Sequence, residues 1–219
     1  MPFTARDRSR YPVVIGCDEV GRGALSGPVV VAAVWFEPQV IPRKLLGALD
    51  DSKNLSIDKR MELSTLIRKN CRIAVAANSV TVIDARNIRN ATLDAMRRAV
   101  VKLQIDAPVM IDGIDVPPGL NGNCTAVVKG DSKVPQIAAA SIIAKTVRDG
   151  LMARLATRYP AYAWDRNAGY GTKHHLGAIK EHGTTPHHRR SYAPVAQHSF
   201  DFTASSALPI GSIPALEGA

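Results

Sequence analysis

Two neighbouring carboxylates end an apolar run near the start of the chain. Asp18 and Glu19 follow the residues PVVIGC, and a second apolar run, VVVAAVWF, begins at Val29. Burying an unpaired carboxylate is strongly unfavourable, so these charges need a compensating partner. Asp112 ends a further apolar run in VMIDG, and Asp149 lies in AKTVRDG, after an Ala/Ile-rich stretch. We expect the four acids to meet at one edge of an α/β sheet, where sites commonly form.

Four clustered carboxylates repel one another and raise each other's pKa values, a problem that bound divalent cations remove. Oxygen ligands favour Mg²⁺ or Mn²⁺, and two such ions about 4 Å apart form a clamp for phosphodiester hydrolysis. The pattern therefore predicts two divalent ions held by catalytic carboxylates at Asp18, Glu19, Asp112 and Asp149. Taken singly, structural roles stay open: Asp149 could pair with Lys145, and Asp112 could be an ordinary turn residue.

A glycine-rich bend follows the acidic pair. Strand alternation sends Asp18 and Glu19 to opposite faces of the sheet. Both therefore reach one site only if the chain bends, which Gly21 and Gly23 permit. Glycines also let the backbone approach a ligand closely, so the N–H groups of this loop and Arg22 could hold a phosphate or a sugar hydroxyl. An ordinary hairpin turn is the alternative interpretation.

The hydrophobic pattern predicts the elements that position these residues. Short runs rich in β-branched residues predict strands at 11–19, 28–36, 71–80, 107–113 and 124–130. Helical periodicity, with N-caps at Ser56 and Thr172 and a stop at Gly183, predicts helices at 55–70, 90–103, 134–159 and 173–183. This order predicts a mixed sheet covered by helices, with a helical appendage at the C-terminal end.

The basic charge balance indicates a polyanionic partner. The 219 residues include 28 Lys+Arg against 19 Asp+Glu, a net charge of +9, which favours nucleic acid over a membrane surface. All 6 histidines fall between residues 174 and 198, where basic and aromatic residues alternate. Such a mixture suits phosphate contacts and stacking, so we expect Lys173 and Arg189 to bind substrate. A zinc site and a solvated surface are the alternatives.

The cysteines and the apolar runs bear on location. None of Cys17, Cys71 and Cys124 lies in a CxxC pair, which is typical of free thiols in a reducing compartment. The N-terminal segment lacks an apolar signal region, and the longest apolar run, 29–36, is too short to span a bilayer. We therefore expect a soluble cytoplasmic protein with no membrane contact.

The motifs in chain order resemble those of the type 2 ribonucleases H, the ribonuclease HII family. They are DEVGRGALSGPVVVAAV, LDDSKNLS, IDG, KGDSKVPQIAAASIIAKTVRD and GYGTKHHLGAIKEHGTTPHHRRSYAPV, and the resemblance spans residues 12–196. It implies an α/β, ribonuclease H-like fold: a five-stranded mixed sheet flanked by helices, with a C-terminal helical segment. It also implies a catalytic domain at 12–198, whose helical substrate-binding appendage covers 160–198, with flexible tails at 1–11 and 199–219.

The resemblance implies roles for individual residues. The positions that match the family's catalytic carboxylates and metal ligands are Asp18, Glu19, Asp112 and Asp149. The loop that senses the ribose 2′-hydroxyl is matched by Gly21, Arg22 and Gly23. Tyr170 matches the tyrosine that reads the junction between a ribonucleotide and a deoxyribonucleotide. Further substrate-binding positions are matched by Lys53, Lys145 and Lys173. Tyr192 stands where the family usually has Phe.

The implied activity is hydrolysis of the RNA strand of RNA–DNA hybrids and cleavage 5′ to single ribonucleotides embedded in duplex DNA. It leaves 3′-hydroxyl and 5′-phosphate ends and uses Mg²⁺ or Mn²⁺, and we expect a monomer. Two rival hypotheses are a nuclease of the same fold that cuts all-DNA substrates and a hybrid-binding protein without turnover. The segment QHSFDF at 197–202 loosely resembles a peptide that docks on a sliding clamp; an ordinary chain end is the alternative.

Overall fold

Within the described residues, five strands form one mixed sheet, which confirms the predicted fold class. The computed structural model describes residues 3–4, 7–49, 55–120 and 122–197. The strands are β1 (Ile15–Val20), β2 (Val29–Trp35), β3 (Arg72–Asn78), β4 (Val109–Asp112) and β5 (Cys124–Val127). Their order across the sheet is β3-β2-β1-β4-β5. The pairs β1–β2 and β2–β3 are antiparallel, whereas β4 is parallel to both β1 and β5.

Seven α-helices accompany the sheet in the described part of the chain. They are α1 (Arg43–Ala48), α2 (Ile57–Asn70), α3 (Val80–Arg86), α4 (Ile88–Leu103), α5 (Pro135–Arg158), α6 (Trp164–Asn167) and α7 (Lys173–His182). The predicted N-caps are confirmed, since the Ser56 and Thr172 hydroxyls accept from the N–H groups of Lys59 and His175. The pattern did not predict α1, α3 and α6 because elements this short show little periodicity.

The sheet lies between two helical layers. On one face, α2 and α5 cover β2, and Val34 is buried in the same cluster as Ile142. On the other face, α4 packs mainly over β2 and β3, in a cluster that also contains Cys17 of β1. Helix α5 lies directly on β1 because Gly16 has no side chain: a Cβ there would lie 2.2 Å from the Gln136 carbonyl carbon. This close seating brings the polar residues of α5 to the end of β1.

The C-terminal helices form a further core. Trp164 of α6 and Ile179 of α7 are buried in one cluster with Leu25, which lies in the loop between β1 and β2. The Leu25 N–H also donates to the Gly169 carbonyl at 2.8 Å. The C-terminal helices are therefore attached to the loop that follows the acidic pair.

The described part of the N-terminal segment is packed, which differs from the expected flexible tail at 1–11. Phe3 and Tyr11 are 5% and 7% exposed, and their rings meet edge to face with centroids 5.6 Å apart. Arg8 Nη1 donates to the Ile41 carbonyl at 2.9 Å. The two aromatic side chains bury apolar area, which favours packing of this segment. The sequence pattern does not indicate this packing, because the residues around the two aromatic side chains are polar. The expected tail at 199–219 lies outside the described residues.

Cys17, Cys71 and Cys124 are free thiols, as predicted. Burial raises the pKa of Cys17 well above its usual value, which disfavours the reactive thiolate form. None of the helices that the structure describes has both the length and the apolar content needed to cross a membrane.

Candidate functional site

Adjacent parallel strands bring Asp18 and Asp112 to the same face of the sheet. The register between β1 and β4 pairs Cys17 with Ile111, so the residues that follow them, Asp18 and Asp112, lie side by side at the carboxyl ends of their strands. Asp18 is only 6% exposed and accepts a hydrogen bond from the Ser141 hydroxyl of α5. Asp112 Oδ1 accepts from the Gly130 N–H at 2.7 Å. The predicted convergence of two strand ends on a helix face is therefore present for these acids.

Glu19 contributes a buried carboxylate oxygen that has no hydrogen-bond partner in the described part of the chain. Its Oε1 accepts from Arg22 Nη1 at 3.3 Å, whereas Oε2 is buried without a partner. Burial raises the pKa of Glu19, against the opposing charge of Arg22, and the charge of Asp112 adds to the rise. Burial first, and the charge of Glu19 second, raise the pKa of Asp18 well above its usual range. The three acids are therefore close enough to repel one another.

Asp149 is held by two cations. Its Oδ1 accepts from Lys145 Nζ at 2.7 Å and its Oδ2 from Arg60 Nη1 at 3.3 Å, so the ion pair considered from the sequence is present. Asp149 lies on the same face of α5 as Ser141, two turns further along the helix, and Ser141 donates to Asp18. Among the described residues, no three His, Cys, Asp or Glu side chains form a ready metal-binding cluster. For Asp149 to bind a metal ion, the ion would have to take the place of the Lys145 or the Arg60 side chain at its carboxylate.

The donor set fits a divalent cation. Asp18, Glu19 and Asp112 offer carboxylate oxygens, the donors that Mg²⁺ and Mn²⁺ prefer. One of these oxygens, Glu19 Oε2, is an acceptor without a donor among the residues that the structure describes. Burial and the charges of the neighbouring acids raise the pKa values of Asp18 and Glu19, and a bound cation would favour the charged forms of both groups.

The two glycines of the loop have different surroundings. Gly21 has a φ of +91°, and a Cβ there would lie 2.1 Å from Arg148 Nε, so a buried arginine requires glycine at this position. Among the described residues, a Cβ at Gly23 would have one neighbour within 4 Å, the Tyr170 ring edge at 4.0 Å. The surface at Gly23 is open to an approaching ligand, and Tyr170, which is 37% exposed, borders the same opening.

Arg189 has a different role from the expected phosphate contact. Its side chain is 0% exposed. The guanidinium donates to the carbonyls of Arg22 at 2.8 Å and Gly27 at 2.9 and 3.1 Å, and to the Tyr192 hydroxyl at 3.0 Å. With all five of its N–H groups enclosed by protein, this guanidinium offers no surface to a phosphate.

The three lysines that we expect to bind substrate differ in their surroundings. Lys173 is exposed at the first position of α7, where it can meet a phosphate. Lys145 is partly exposed and paired with Asp149. Lys53 lies outside the described residues.

His175 and His188 form a buried pair behind Tyr170. Trp164 Nε1–H donates to His175 Nε2 at 3.0 Å, so the His175 proton lies on Nδ1, which donates to the Tyr170 carbonyl at 2.9 Å. The Thr185 N–H donates to His188 Nδ1 at 2.9 Å. The His188 proton therefore lies on Nε2, 3.2 Å from His175 Nε2. Burial lowers the pKa of His175 and lowers that of His188 to about 3, so both rings are neutral.

Sequence reasoning did not single out Arg60, Arg148 or the pairing of His175 with His188. One signal was available for Arg148, because an arginine on an Ala/Ile-rich helix is rarely buried without specific partners. The partners themselves lie far away in the chain, at separations such as the 120 residues between Arg148 and Pro28. Local patterns carry no information on such contacts.

Comparison with known sequences gives one family. The family model described as Ribonuclease HII matches residues 15–199. A curated relative, the ribonuclease HII of Paramagnetospirillum magneticum, is 49% identical over 199 residues, which cover 90% of this chain and 98% of the relative.

Solved structures show the same fold. The ribonuclease HII of Archaeoglobus fulgidus, in a structure of its complex with PCNA, is 30% identical with a TM-score of 0.71, covering 83% of this chain and 95% of that one. The ribonuclease H2 of Pyrococcus horikoshii is 24% identical with a TM-score of 0.75, covering 88% and 99%. Bst-RNase HIII in complex with Mn²⁺ is 19% identical with a TM-score of 0.68, covering 90% and 73%. The last two likenesses concern the fold alone.

Proposed function

The chain belongs to the ribonuclease HII family, the metal-dependent endoribonucleases that hydrolyse the RNA strand of RNA–DNA hybrids, and from this premise we propose a second substrate. The second substrate is duplex DNA that contains a single ribonucleotide, cut on the 5′ side of that ribonucleotide. The products carry a 3′-hydroxyl and a 5′-phosphate.

The opening between Gly23 and Tyr170 is the observation that carries this proposal. Phosphates are alike in RNA and DNA, so the 2′-hydroxyl is the local difference that a protein can read at the sugar. At Gly23 the backbone is exposed without a side chain, so its polar groups can approach that hydroxyl. The Tyr170 ring borders the opening, where it can stack on the neighbouring deoxyribose. Arg22, between the two glycines, lies within reach of the adjoining phosphate.

Two divalent ions, Mg²⁺ or Mn²⁺, are proposed at the acidic cluster. Asp18, Glu19 and Asp112 would hold them at the strand ends, with Asp149 joining from α5. When bound, such ions activate water and neutralise charge on the scissile phosphate. If Asp149 turns to the ions, Lys145 loses its partner and its ammonium becomes available to a substrate phosphate.

The remaining proposed substrate contacts surround this opening. Gly21 shapes the loop, and Lys173 lies on the C-terminal helices that are attached to it. Lys53 is proposed from the family resemblance. Together these residues would hold the duplex on either side of the scissile phosphate.

Three labelled duplexes test the proposal: one with a single ribonucleotide, one with a continuous RNA strand, and one of DNA alone. Each is incubated with Mg²⁺, with Mn²⁺ and with EDTA. We expect cleavage of the first two duplexes only, and only with metal. Extension of the upstream product by a DNA polymerase then reports its 3′-hydroxyl.

The rival hypotheses give different results in the same assay. Cleavage of the all-DNA duplex would indicate a nuclease without ribose selectivity. Hybrid binding without products in either metal would indicate a binding protein. Cleavage of the hybrid but not of the single-ribonucleotide duplex would contradict the second substrate, and full activity in EDTA would contradict the metal site.

A sliding-clamp partner stays a prediction. Its support is the solved complex of the Archaeoglobus fulgidus relative with PCNA and the sequence QHSFDF at 197–202, most of which lies outside the described residues. Isothermal titration of a host clamp into the full chain, and into a chain with Phe200 and Phe202 both changed to Ala, measures this contact. Equal binding by the two chains would exclude this segment as the contact.

A further inference from the structure

Arg148, a buried arginine of α5, joins the two loops that border the Gly23 opening. Its side chain is 0% exposed. Its guanidinium donates to the carbonyls of Ser26 and Pro28, both at 3.0 Å, and to the carbonyl of Ala168 at 2.7 Å. The first two carbonyls belong to the glycine-rich loop and the third precedes the Gly169–Tyr170 turn. One side chain therefore fixes the distance between the two loops.

Arg189 holds the glycine-rich loop from the other end. It donates to the carbonyl of Arg22, the residue directly before Gly23, and twice to the carbonyl of Gly27. The Tyr192 hydroxyl, which accepts from Arg189, donates to the same Arg22 carbonyl at 2.5 Å. The orientation of the Gly23 backbone is thus set by two side chains of the C-terminal segment.

The contacts of Arg148 and Arg189 indicate that these side chains position the backbone and do not serve as partners of an acidic group. Their hydrogen bonds go to backbone carbonyls and one hydroxyl, which leaves two like charges buried near each other. Burial lowers the pKa of Arg148 to about 10 and also lowers the pKa of Arg189. A guanidinium nevertheless stays protonated in proteins. Burying a charge in this way is unfavourable. The planar guanidinium group gives directional hydrogen bonds that the point charge of a lysine does not give.

We propose that Arg148 and Arg189 are positioning residues that set the gap between Gly23 and Tyr170, and with it the selectivity for a single embedded ribonucleotide over continuous RNA. The inference rests on the proposed function, which assigns the reading of the ribose–deoxyribose junction to this gap. Continuous RNA has no deoxyribose next to the scissile ribonucleotide on the Tyr170 side. A changed gap therefore affects the single-ribonucleotide substrate more.

The test compares Arg148→Lys and Arg189→Lys with the wild-type chain. Lysine keeps the positive charge but cannot reach three carbonyls from one planar group. We expect the kcat/KM for the single-ribonucleotide duplex, divided by that for the hybrid, to fall about tenfold or more, since small misplacements of a bound substrate have effects of this size. Arg154→Lys, an exposed change on α5, is the matched control and should keep the wild-type ratio.

The readout separates a positioning role from a merely structural one. Melting temperature is measured for every variant, and kcat and KM are determined separately on both substrates. A folded variant with an unchanged ratio, or with equal losses on the two substrates, would overturn the proposal. A wild-type chain that leaves the single-ribonucleotide duplex intact would contradict the proposed function instead, and that result is read before any variant is compared.

Tyr192→Phe keeps the proposal testable if neither lysine variant folds. It removes only the hydroxyl bonded to Arg22 and Arg189 and gives the residue that is usual in the family, so a folded chain is expected. Loss of one hydrogen bond corresponds to a fall in the selectivity ratio of about threefold. A Tyr192→Phe chain with the wild-type ratio would count against the positioning role.

Discussion

Single residues at the acidic cluster carry more negative charge than their surroundings balance. Within the described ranges of the chain, Glu19 Oε2 lacks a donor, and Asp18 is buried beside it. A protein that only needed to fold would gain stability by replacing such groups with apolar ones. Their presence is explained by the cations they are proposed to hold, so changes at these residues should separate activity from stability.

Asp112→Asn is the most informative substitution at the acidic cluster. It keeps nearly the same volume and the acceptor for the Gly130 N–H, but it removes the charge of a proposed metal ligand. We expect kcat to fall by at least about a hundredfold, while hybrid affinity, measured by fluorescence anisotropy, stays the same or tightens because repulsion of phosphate is reduced. Asp115→Asn, whose parent carboxylate pairs with Arg89 at 2.6 Å, is the control and should keep wild-type turnover. Near-normal turnover of Asp112→Asn would make Asp112 a turn residue only.

Tyr170→Ala addresses the other side of the Gly23 opening. The Tyr170 side chain is partly exposed, and the buried His175 contact is to its backbone carbonyl, which alanine keeps. We expect cleavage at a single ribonucleotide to fall by about tenfold or more, cleavage of continuous RNA to fall less, and the melting temperature to stay nearly unchanged. If thermal stability drops and both activities fall in parallel, Tyr170 packs the C-terminal helices and does not read the substrate.

Among the elements, α7 and the segment that follows it depend on the neutral histidine pair. His188 has a pKa of about 3 in the folded chain and about 6.5 when unfolded. A group whose pKa is lowered by folding stabilises the protein above the unfolded pKa and loses that contribution as pH falls towards the folded one. From His188 alone we expect about 2 kcal/mol less stability at pH 5 than at pH 7.5.

Urea unfolding at several pH values between 7.5 and 5 measures this loss. His188→Gln retains an N–H donor and a carbonyl acceptor but does not titrate, so its stability should change less over the same range. The exposed His182→Gln change, also in the C-terminal segment, serves as the control with the wild-type slope. Identical slopes in all three chains would assign acid sensitivity to other groups.

The elements also show which parts of the structure the sequence could predict. Ser56 and Thr172 are correct caps because a cap depends on residues three positions apart, and β1 and β2 are correct because two short apolar runs around glycines favour a hairpin. The four acids were identified from their positions at strand ends and on a helix. The interior position of Arg189 was not predicted, because burial of an arginine is decided by carbonyls that lie 162 and 167 residues away.

The whole molecule is basic, and this charge should govern how it meets a polyanion. With a net charge of +9, the logarithm of hybrid affinity should fall linearly with the logarithm of salt concentration. Lys173→Gln should reduce that slope by about 1, the value expected for one phosphate contact. Lys102→Gln, on α4 across the sheet, should leave the slope as it is. Equal slopes for the two variants would move the nucleic-acid contact away from α7.

The bond between Arg189 and Arg22 has a consequence for synthesis of the protein. The two residues are 167 positions apart, so the acids leave the ribosome long before the side chains that fix the loop beside them. Domains fold as units while the chain is being made, and here the loop between the first two strands gains its Arg189 contacts only when almost the last residues of the described fold have been made. A chain cut short by a premature stop would carry three of its four acids by residue 112 yet never complete the opening that tells ribose from deoxyribose. Such a product would lack the guanidinium that holds the Arg22 and Gly27 carbonyls in place.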